Sequence, residues 1–346
     1  MTVQHLPMGA VPATDLAATA AETPMLRAEG LVKTYGRTRA LNGLSLHVPR
    51  GSIYGFVGPN GAGKTTTLRI LATLLAPDNG AAWVDGRPLT TTRAAGGTLA
   101  AVRSKIGYMP DFFGVYDNLT VSEYLDFYAA AYGVPAAESR RTNAELLELV
   151  DLAPKRDDFV ENLSRGMKQR LGLARCLVHN PQVLLLDEPA SGMDPRARYE
   201  MREIVKELQR MGKTVLVSSH ILLELAEMCS HIGIVQDGRL LREGPVQAIL
   251  GSLKGARAVR VGVIGEGVPA TEVAARAVEV LDGQPGVSDV VPTDDGLEVT
   301  FAGDDAATAA LLRALVEAGI PVVHFARAAS SLEEIFMQLT ETDDQG

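Results

Sequence analysis

The sequence has few cysteines, no basic start and no long hydrophobic run. Its two cysteines, Cys176 and Cys229, both fall in predicted helices, which favours reduced core thiols in a cytoplasmic protein over a disulfide. Residues 1–24 contain no Lys or Arg, so they do not resemble a signal peptide, and we interpret them as a disordered leader. Apolar runs such as Val183–Leu186 are far shorter than the roughly 18 residues that a spanning helix needs. These absences argue against a secreted disulfide protein and against a chain that itself crosses a membrane.

Basic residues are scarce in the last part of the chain. Residues 251–346 hold 16 acidic against 6 basic residues, whereas the first 250 hold 26 against 27. This shift predicts a domain boundary near Gly251, and a length of 346 residues suits two domains. Because non-specific nucleic-acid binding needs a basic face, we expect no nucleic-acid partner.

The most informative motif is a glycine-rich loop between a predicted strand, Ile53–Val57, and a predicted helix. Backbone N–H groups of such a loop turn towards phosphate oxygens, and the helix adds the positive end of its dipole. Lys64 would reach the β- and γ-phosphates, and the Thr65 hydroxyl would face Mg²⁺. The pattern predicts a nucleoside triphosphate site made by Gly58, Pro59, Asn60, Gly61, Ala62, Gly63, Lys64, Thr65 and Thr66.

Two carboxylates follow the apolar strand Val183–Leu186. A buried parallel strand delivers its last side chains into the crevice at the carboxyl edge of the sheet. At that edge Asp187 would hold Mg²⁺, and Glu188 could orient or deprotonate an attacking water. Two acids at a strand end are weak evidence alone, but together with the phosphate loop upstream they indicate a nucleotide site.

Three further candidates each have a plain structural alternative. Tyr35 could stack on an adenine ring or be a half-buried tyrosine at a strand end. Ser164 is a good N-cap for the helix that continues through Leu177. His220 follows the buried strand Thr214–Ser219, and isolated histidines are most often surface or core residues.

The element pattern predicts an α/β protein. Phe112, Phe113 and Tyr116 form an aromatic loop that suits a partner groove or a local hydrophobic cluster, and Thr120 with Glu123 predicts a capping box. The sequence pattern predicts a loop over Arg87–Ser104 and a helix over Thr142–Leu152. The tail predicts a βαββαβ order, typical of a small ferredoxin-like sheet.

Taken together, these segments resemble the ATP-binding subunit of an ABC transporter over about residues 25–245, with every motif in order. The corresponding segments are the Walker A loop at Gly58–Thr66, the signature at Leu163–Arg170, the Walker B strand at Val183–Glu188, the D-loop at Ser191–Asp194, the switch histidine His220 and the stacking aromatic Tyr35.

The resemblance implies a P-loop NTPase fold of the ABC type with a helical subdomain, followed by a small α+β ferredoxin-like C-terminal domain. It implies ATP and Mg²⁺ as ligands, with metal contacts from Thr65, Asp187 and Asp111. It also implies a homodimer in which Ser164 and Gly166 of one subunit cap the γ-phosphate held by the other. Asp194 in the D-loop is a further nucleotide-binding residue of the resemblance. Glu188 would be the base and His220 would hold the γ-phosphate and water. The dimer would drive a separate permease at the cytoplasmic face of the membrane.

The chain departs from the commonest family pattern at three places. Arg165 and Met167 replace Gly and Gln in the signature, which is similar to exporters of the ABC-2 type. The tail segment Ser331–Phe336 also resembles that subgroup. Asp111 stands where the family usually has Gln, so the usual contact with Mg²⁺ and water at this position is in doubt.

We therefore expect a leader over 1–24, an ABC ATPase domain over 25–250 with its helical subdomain at about 112–180, and an accessory domain over 251–346. The leading function is ATP hydrolysis that powers export. A soluble ATPase acting on ribosomes or DNA is the alternative, although only about 95 residues separate Thr66 from Leu163, too few for a long coiled coil. The transported substrate cannot be derived from this chain.

Overall fold

A computed structural model describes residues 23–89, 96–111, 114, 118–252, 257–265, 269–293, 296–301 and 303–327. Phe112, Phe113 and Tyr116, almost all of the predicted leader and the predicted last helix from Leu332 lie outside the described residues.

The described strands and helices alternate through most of the chain. The strands are β1 (Leu26–Tyr35), β2 (Thr38–Val48), β3 (Ile53–Val57), β4 (Asn79–Val84), β5 (Arg87–Pro88), β6 (Ile106–Met109), β7 (Val183–Asp187), β8 (Thr214–Ser219), β9 (His231–Gln236), β10 (Arg239–Pro245), β11 (Arg257–Val263), β12 (Val287–Thr293), β13 (Gly296–Phe301) and β14 (Val322–Arg327). The helices are α1 (Lys64–Leu71), α2 (Gly96–Arg103), α3 (Val121–Ala131), α4 (Ala136–Leu149), α5 (Arg165–Leu177), α6 (Pro195–Arg210), α7 (Leu222–Ala226), α8 (Val246–Ser252), α9 (Ala270–Leu281) and α10 (Asp305–Glu317).

A six-stranded sheet in the order β10-β9-β3-β8-β7-β6 is the centre of the first part of the chain. Five of its strands are parallel and β10 pairs antiparallel to β9 at one edge. Every residue of β3, β7 and β8 is buried. Strands covered on both faces are expected to be apolar throughout, which explains the unbroken run at Val183–Leu186.

The first part of the chain also contains a second sheet and a helical segment. An antiparallel sheet in the order β2-β1-β4-β5 packs its apolar side chains with those of α1. Helices α3, α4 and α5 form a helical segment between β6 and β7. The predicted capping box is confirmed: the Thr120 hydroxyl accepts from the Glu123 N–H, and the Glu123 carboxylate accepts from the Thr120 N–H.

The C-terminal elements follow the predicted βαββαβ order and form an antiparallel sheet in the order β12-β13-β11-β14. This is the strand order of a ferredoxin-like sheet, and its apolar side chains meet α9 and α10 in a hydrophobic cluster of their own. The domain boundaries remain a prediction. The expected boundary near residue 250 falls within α8, whose Val246 and Ile249 are buried in the core of the preceding part.

Several local predictions were wrong. Residues 87–104 are not all loop, because β5 and α2 lie there, and the buried Val102 on α2 provides an apolar contact that the Thr/Ala/Gly-rich sequence hid. Helix α4 begins at Ala136 and ends at Leu149, whereas the sequence predicted Thr142–Leu152. The added first turn contains Ser139, which donates a hydrogen bond to Asp126 on α3. Cys229 lies after the short α7 rather than in a helix, although both cysteines are buried and free.

Candidate active site

The carboxyl ends of three neighbouring strands bring the predicted residues together. Strand β8 lies between β3 and β7, and its last residue, Ser219, is in register with Val57. Asp187 at the end of β7 is in register with Ser218. Because parallel strands end at the same edge of a sheet, the phosphate loop, the acidic pair and His220 converge there.

The glycine-rich loop requires close backbone approach. A side chain at Gly58 would place its Cβ 2.2 Å from the Val235 carbonyl oxygen. Gly63 has φ 100°, in the region that L-residues rarely adopt, and it directly precedes α1. The Lys64 ammonium donates to the carbonyl oxygens of Gly58 and Pro59 at 2.7 and 3.1 Å, and Lys64 is 6% exposed. The loop is thus wrapped around its own lysine.

Asp187 joins this loop to the central sheet. Its Oδ1 accepts hydrogen bonds from the hydroxyls of Thr65, at 3.2 Å, and Ser218, at 2.8 Å. Its Oδ2 is buried and has no hydrogen-bond partner among the described residues. Burial raises the pKa of Asp187, hydrogen bonds from Ser218 and Thr65 oppose that rise, and the charges of Glu188 and Asp111 add to it. The site therefore holds a carboxylate that lacks a positive partner.

Glu188 lies between a cation and an imidazole. Its Oε1 is 3.4 Å from the Lys64 Nζ, and its Oε2 is 2.9 Å from the His220 Nδ1. Its backbone has φ 49°, an uncommon conformation for a glutamate, and its N–H donates to the Ser218 hydroxyl. Ser218 therefore supports both acids at once. The sequence analysis missed this residue, and its position at the end of a buried strand was the signal that could have found it.

The remaining predicted residues make no described hydrogen bond to this group. Tyr35 ends β1 and is 47% exposed. The Ser164 hydroxyl accepts from the Met167 N–H and caps α5, and Gly166 would place a Cβ 3.2 Å from that of Ala197. Asp194 caps α6 by accepting from the Ala197 N–H. The exposed Asp111 follows β6 at the same sheet edge, near enough for its charge to act on Asp187.

The chemistry of the site suits a phosphate group and a hard cation. A buried ammonium at the start of a helix attracts anionic oxygens, and the unpaired Asp187 Oδ2 with the Thr65 hydroxyl offers the oxygen ligands that Mg²⁺ prefers. Among the described residues, no group of three or more His, Cys, Asp or Glu side chains could hold a metal by itself. A Mg²⁺ here would take its other ligands from phosphate and water, which is usual for this ion.

The fold and the site together define an ATP-binding cassette, and comparisons with known proteins agree. Residues 41–191 match the family described as "ABC transporter", and residues 257–340 match "ATP-binding protein DrrA1-3-like, C-terminal domain". The chain belongs to the ATP-binding proteins of ABC transporters, as its relatives below demonstrate. It is an ATPase.

Two full-length relatives carry the family assignment. The Nod factor export ATP-binding protein I of Ralstonia nicotianae is 33% identical over 92% of this chain and 94% of that protein. The daunorubicin/doxorubicin resistance ATP-binding protein DrrA of Streptomyces peucetius is 35% identical over 92% of this chain and 93% of that protein. The resemblance to exporter-type subunits that the signature indicated is thereby confirmed.

Solved structures match the cassette. The ATP-binding subunit of an ABC transporter is 30% identical and covers 66% of this chain and 93% of that one, with a TM-score of 0.59. A dimeric cassette in a post-hydrolysis state with ADP and Pi is 27% identical, covers 64% and 99%, and gives a TM-score of 0.58. Within the part of the chain that is described, no helix has both the length and the apolar character needed to traverse a bilayer. As its relatives indicate, the chain is the ATP-hydrolysing subunit that powers export through a separate permease.

Proposed function

We propose that this chain is the Mg²⁺-dependent ATPase of an exporter of the ABC-2 type, bound at the cytoplasmic face of the membrane through its permease. The observation that carries the proposal is the position of Glu188. Its carboxylate lies between the Lys64 ammonium and the His220 imidazole, at the sheet edge where the phosphate loop begins. This is the arrangement that a base needs beside a bound γ-phosphate.

Each side chain of the site has a distinct task in this proposal. Lys64 leaves its carbonyl partners and binds the β- and γ-phosphates, together with the N–H groups of the loop. Glu188 accepts a proton from the attacking water. His220 fixes the Glu188 carboxylate through Nδ1 and turns its remaining ring nitrogen to the γ-phosphate. Catalysis by such a set rests on positioning and on neutralising charge in the transition state.

Thr65 and Asp187 would hold the metal, and Ser218 would orient Asp187. Bound Mg²⁺ supplies positive charge to the phosphate oxygens. The unpaired Asp187 Oδ2 supports this assignment, because a buried carboxylate oxygen without a partner is costly in the absence of a cation. Asp111 is a more distant candidate, since it influences Asp187 by charge and makes no described hydrogen bond to it.

The exposed residues of the predicted site could contact a second subunit or the nucleotide. Ser164, Asp194 and Tyr35 are exposed and stand apart from the Lys64–Glu188 group, so each is open to a second copy or to a nucleotide. In the proposed homodimer, Ser164 and Gly166 of one copy close the γ-phosphate side of the other, and Tyr35 stacks on adenine. The dimeric cassette among the solved structures supports this arrangement.

The permease would dock on the helical segment. Phe127 on α3 and Tyr132, the residue that follows α3, are about half exposed, at 48% each, although both are large and partly apolar. Exposed aromatic side chains of this kind are enriched at protein interfaces. The relatives act in the export of Nod factors and in resistance to daunorubicin and doxorubicin, so we propose that the permease of this system is an exporter.

The test is Glu188→Gln in the full-length chain. We expect ATP binding to persist while the hydrolysis rate falls by about 100-fold or more, because a general base commonly contributes 10²–10⁴-fold. The variant should accumulate as an ATP-bound dimer in size-exclusion chromatography. Glu207→Gln, the same chemical change on the surface of α6, is the matched control and should keep the wild-type rate. A wild-type rate in Glu188→Gln would remove Glu188 from the role of base.

A further inference from the structure

A closed ring of contacts joins the two catalytic side chains through the D-loop. From Glu188, whose carbonyl accepts from the Ser191 N–H, the chain turns through the D-loop to Met193. From His220 it passes directly into α7, which carries Glu224. The Glu188–His220 contact closes one side of the ring, at 2.9 Å.

Arg198 on α6 closes the other side. Its Nε donates to the Met193 carbonyl oxygen at 3.0 Å, and its Nη1 donates to the Glu224 Oε1 at 2.8 Å. The planar guanidinium thus donates one hydrogen bond to the D-loop and one to the helix after His220. Two charge-assisted bonds from the rigid guanidinium to two separate acceptors fix geometry more strictly than a flexible ammonium can.

The interior of the ring is not filled by side chains. A cavity of about 250 Å³ lies between α6, α7 and the catalytic edge, and its lining includes Glu188, His220 and Arg198. Helix α7 is anchored in the core by Leu222 and Leu225, and on the side of the cavity its Glu224 is held by Arg198. His220 is also about half exposed, with 47% of its side chain accessible.

We infer that Arg198 is a positioning residue that transmits the conformation of the D-loop to His220. This inference rests on the catalytic roles proposed for Glu188 and His220. A movement of Met193 shifts the guanidinium, the guanidinium moves Glu224, and α7 carries that movement to the imidazole four residues earlier. The rate of hydrolysis therefore depends on a contact that touches neither nucleotide nor metal.

The experiment compares Arg198→Met with Arg202→Met in the full-length chain. Arg202 also joins α6 to α7, through an ion pair with Glu227, and has no described bond to the D-loop. We expect Arg198→Met to lower kcat about tenfold with a KM for ATP within about twofold of wild type, because misplaced catalytic groups reduce turnover while the phosphate loop is intact. Arg202→Met should keep kcat within about twofold.

Two further variants keep the test decisive. Glu224→Gln retains the size of the side chain and should reproduce the loss in kcat even if Arg198→Met folds poorly. Arg198→Lys keeps the charge and should recover part of the rate. Equal kcat values in Arg198→Met, Glu224→Gln and wild type would overturn the inference while leaving the proposed function intact. A wild-type rate in Glu188→Gln would overturn both.

Discussion

At the scale of single residues, Asp187 combines a structural cost with a functional use. Its carboxylate is buried, and one of its oxygens has no partner among the described residues. Burial raises its pKa, which means that the folded chain resists the charge it carries at neutral pH. Functional sites commonly keep such groups because the ligand supplies the missing interaction.

Asp187→Asn should therefore separate stability from metal binding. Without nucleotide we expect the melting temperature to stay level or rise, since a buried charge is removed. With Mg²⁺ and ATP the wild-type chain should gain about 2.7 kcal/mol at a hundred times the Kd, and the variant should lose most of the Mg²⁺-dependent part. Thermal melts with and without Mg²⁺ measure both effects. Asp157→Asn, at an exposed acid, is the control, and full Mg²⁺-dependent stabilisation of Asp187→Asn would exclude Asp187 as a ligand.

Asp111 adds a third carboxylate to the edge that carries Asp187 and Glu188. Its charge acts on Asp187 together with that of Glu188, and a glutamine there would be neutral and would offer an amide donor. Asp111→Gln should raise the basal ATPase rate by up to about fivefold, because an exposed charge interaction is worth at most about 1 kcal/mol. It should also weaken stimulation by the permease. Identical basal rates and identical stimulation would mean that Asp111 is a solvated loop acid.

At the scale of elements, helix caps recur at the functional segments. Thr120 caps α3, Ser164 caps α5 and Asp194 caps α6, each through a side-chain oxygen that accepts a backbone N–H. Each cap sets where its helix begins and how the preceding loop approaches it. For Ser164 and Asp194, a loss of activity on mutation to Ala would thus mix a structural effect with a functional one.

Thr120 permits a clean test of such a cap. Thr120→Ala should lower the free energy of unfolding by about 1 kcal/mol, measured by denaturant titration, while Ser122→Ala should have a smaller effect. Hydrogen bonds from Thr120 hold the pKa of Glu123 below its ordinary value. Stability from this source is present at neutral pH and is lost as the pH falls through the lowered pKa. The Thr120 N–H that donates to Glu123 remains in Thr120→Ala, so the difference between the two variants should narrow in acid only by the part that the bond from the Thr120 hydroxyl to the Glu123 carboxylate contributes. A difference that widens as the pH falls would contradict this account.

At the scale of the whole molecule, the catalytic residues and the C-terminal sheet lie in different parts of the sequence. All residues of the catalytic group precede β10, and the acid-rich C-terminal part has a sheet with its own hydrophobic cluster. We propose that residues after Ser252 form an accessory domain that regulates or dimerises the subunit. Helix α8 belongs to the ATPase part, because Val246 and Ile249 are buried in its core.

A chain truncated after Ser252 should accordingly fold and keep the ATP affinity of the full chain. A chain truncated after Pro245 should be less stable by several kcal/mol, since it loses two buried aliphatic side chains worth about 2 kcal/mol each. Nucleotide binding and thermal melts distinguish the two. If the longer fragment folds without binding ATP, the accessory role of the C-terminal domain is wrong.

The sequence alone determined what depends on local pattern. The glycines of the phosphate loop, the buried strand before Asp187 and the capping box at Thr120 are all recognisable from residue type and spacing, and the βαββαβ tail follows from hydrophobic periodicity. Strand β2 escaped prediction: Gly43, with φ 82°, interrupts its pattern, and the pairing with β1 has register shifts. Local rules fail there because pairing with β1 decides the conformation.

Only the tertiary structure decided how distant residues combine. Ser218 supports Asp187 and Glu188 because β7 and β8 are neighbours in register, and no pattern in the sequence states which strands pair. Arg198 meets Met193 and Glu224 because α6, α7 and the D-loop line one cavity. Spacing specifies which chemistry is present, whereas strand order and packing specify which groups act on one another, since contacts between distant segments depend on the whole fold.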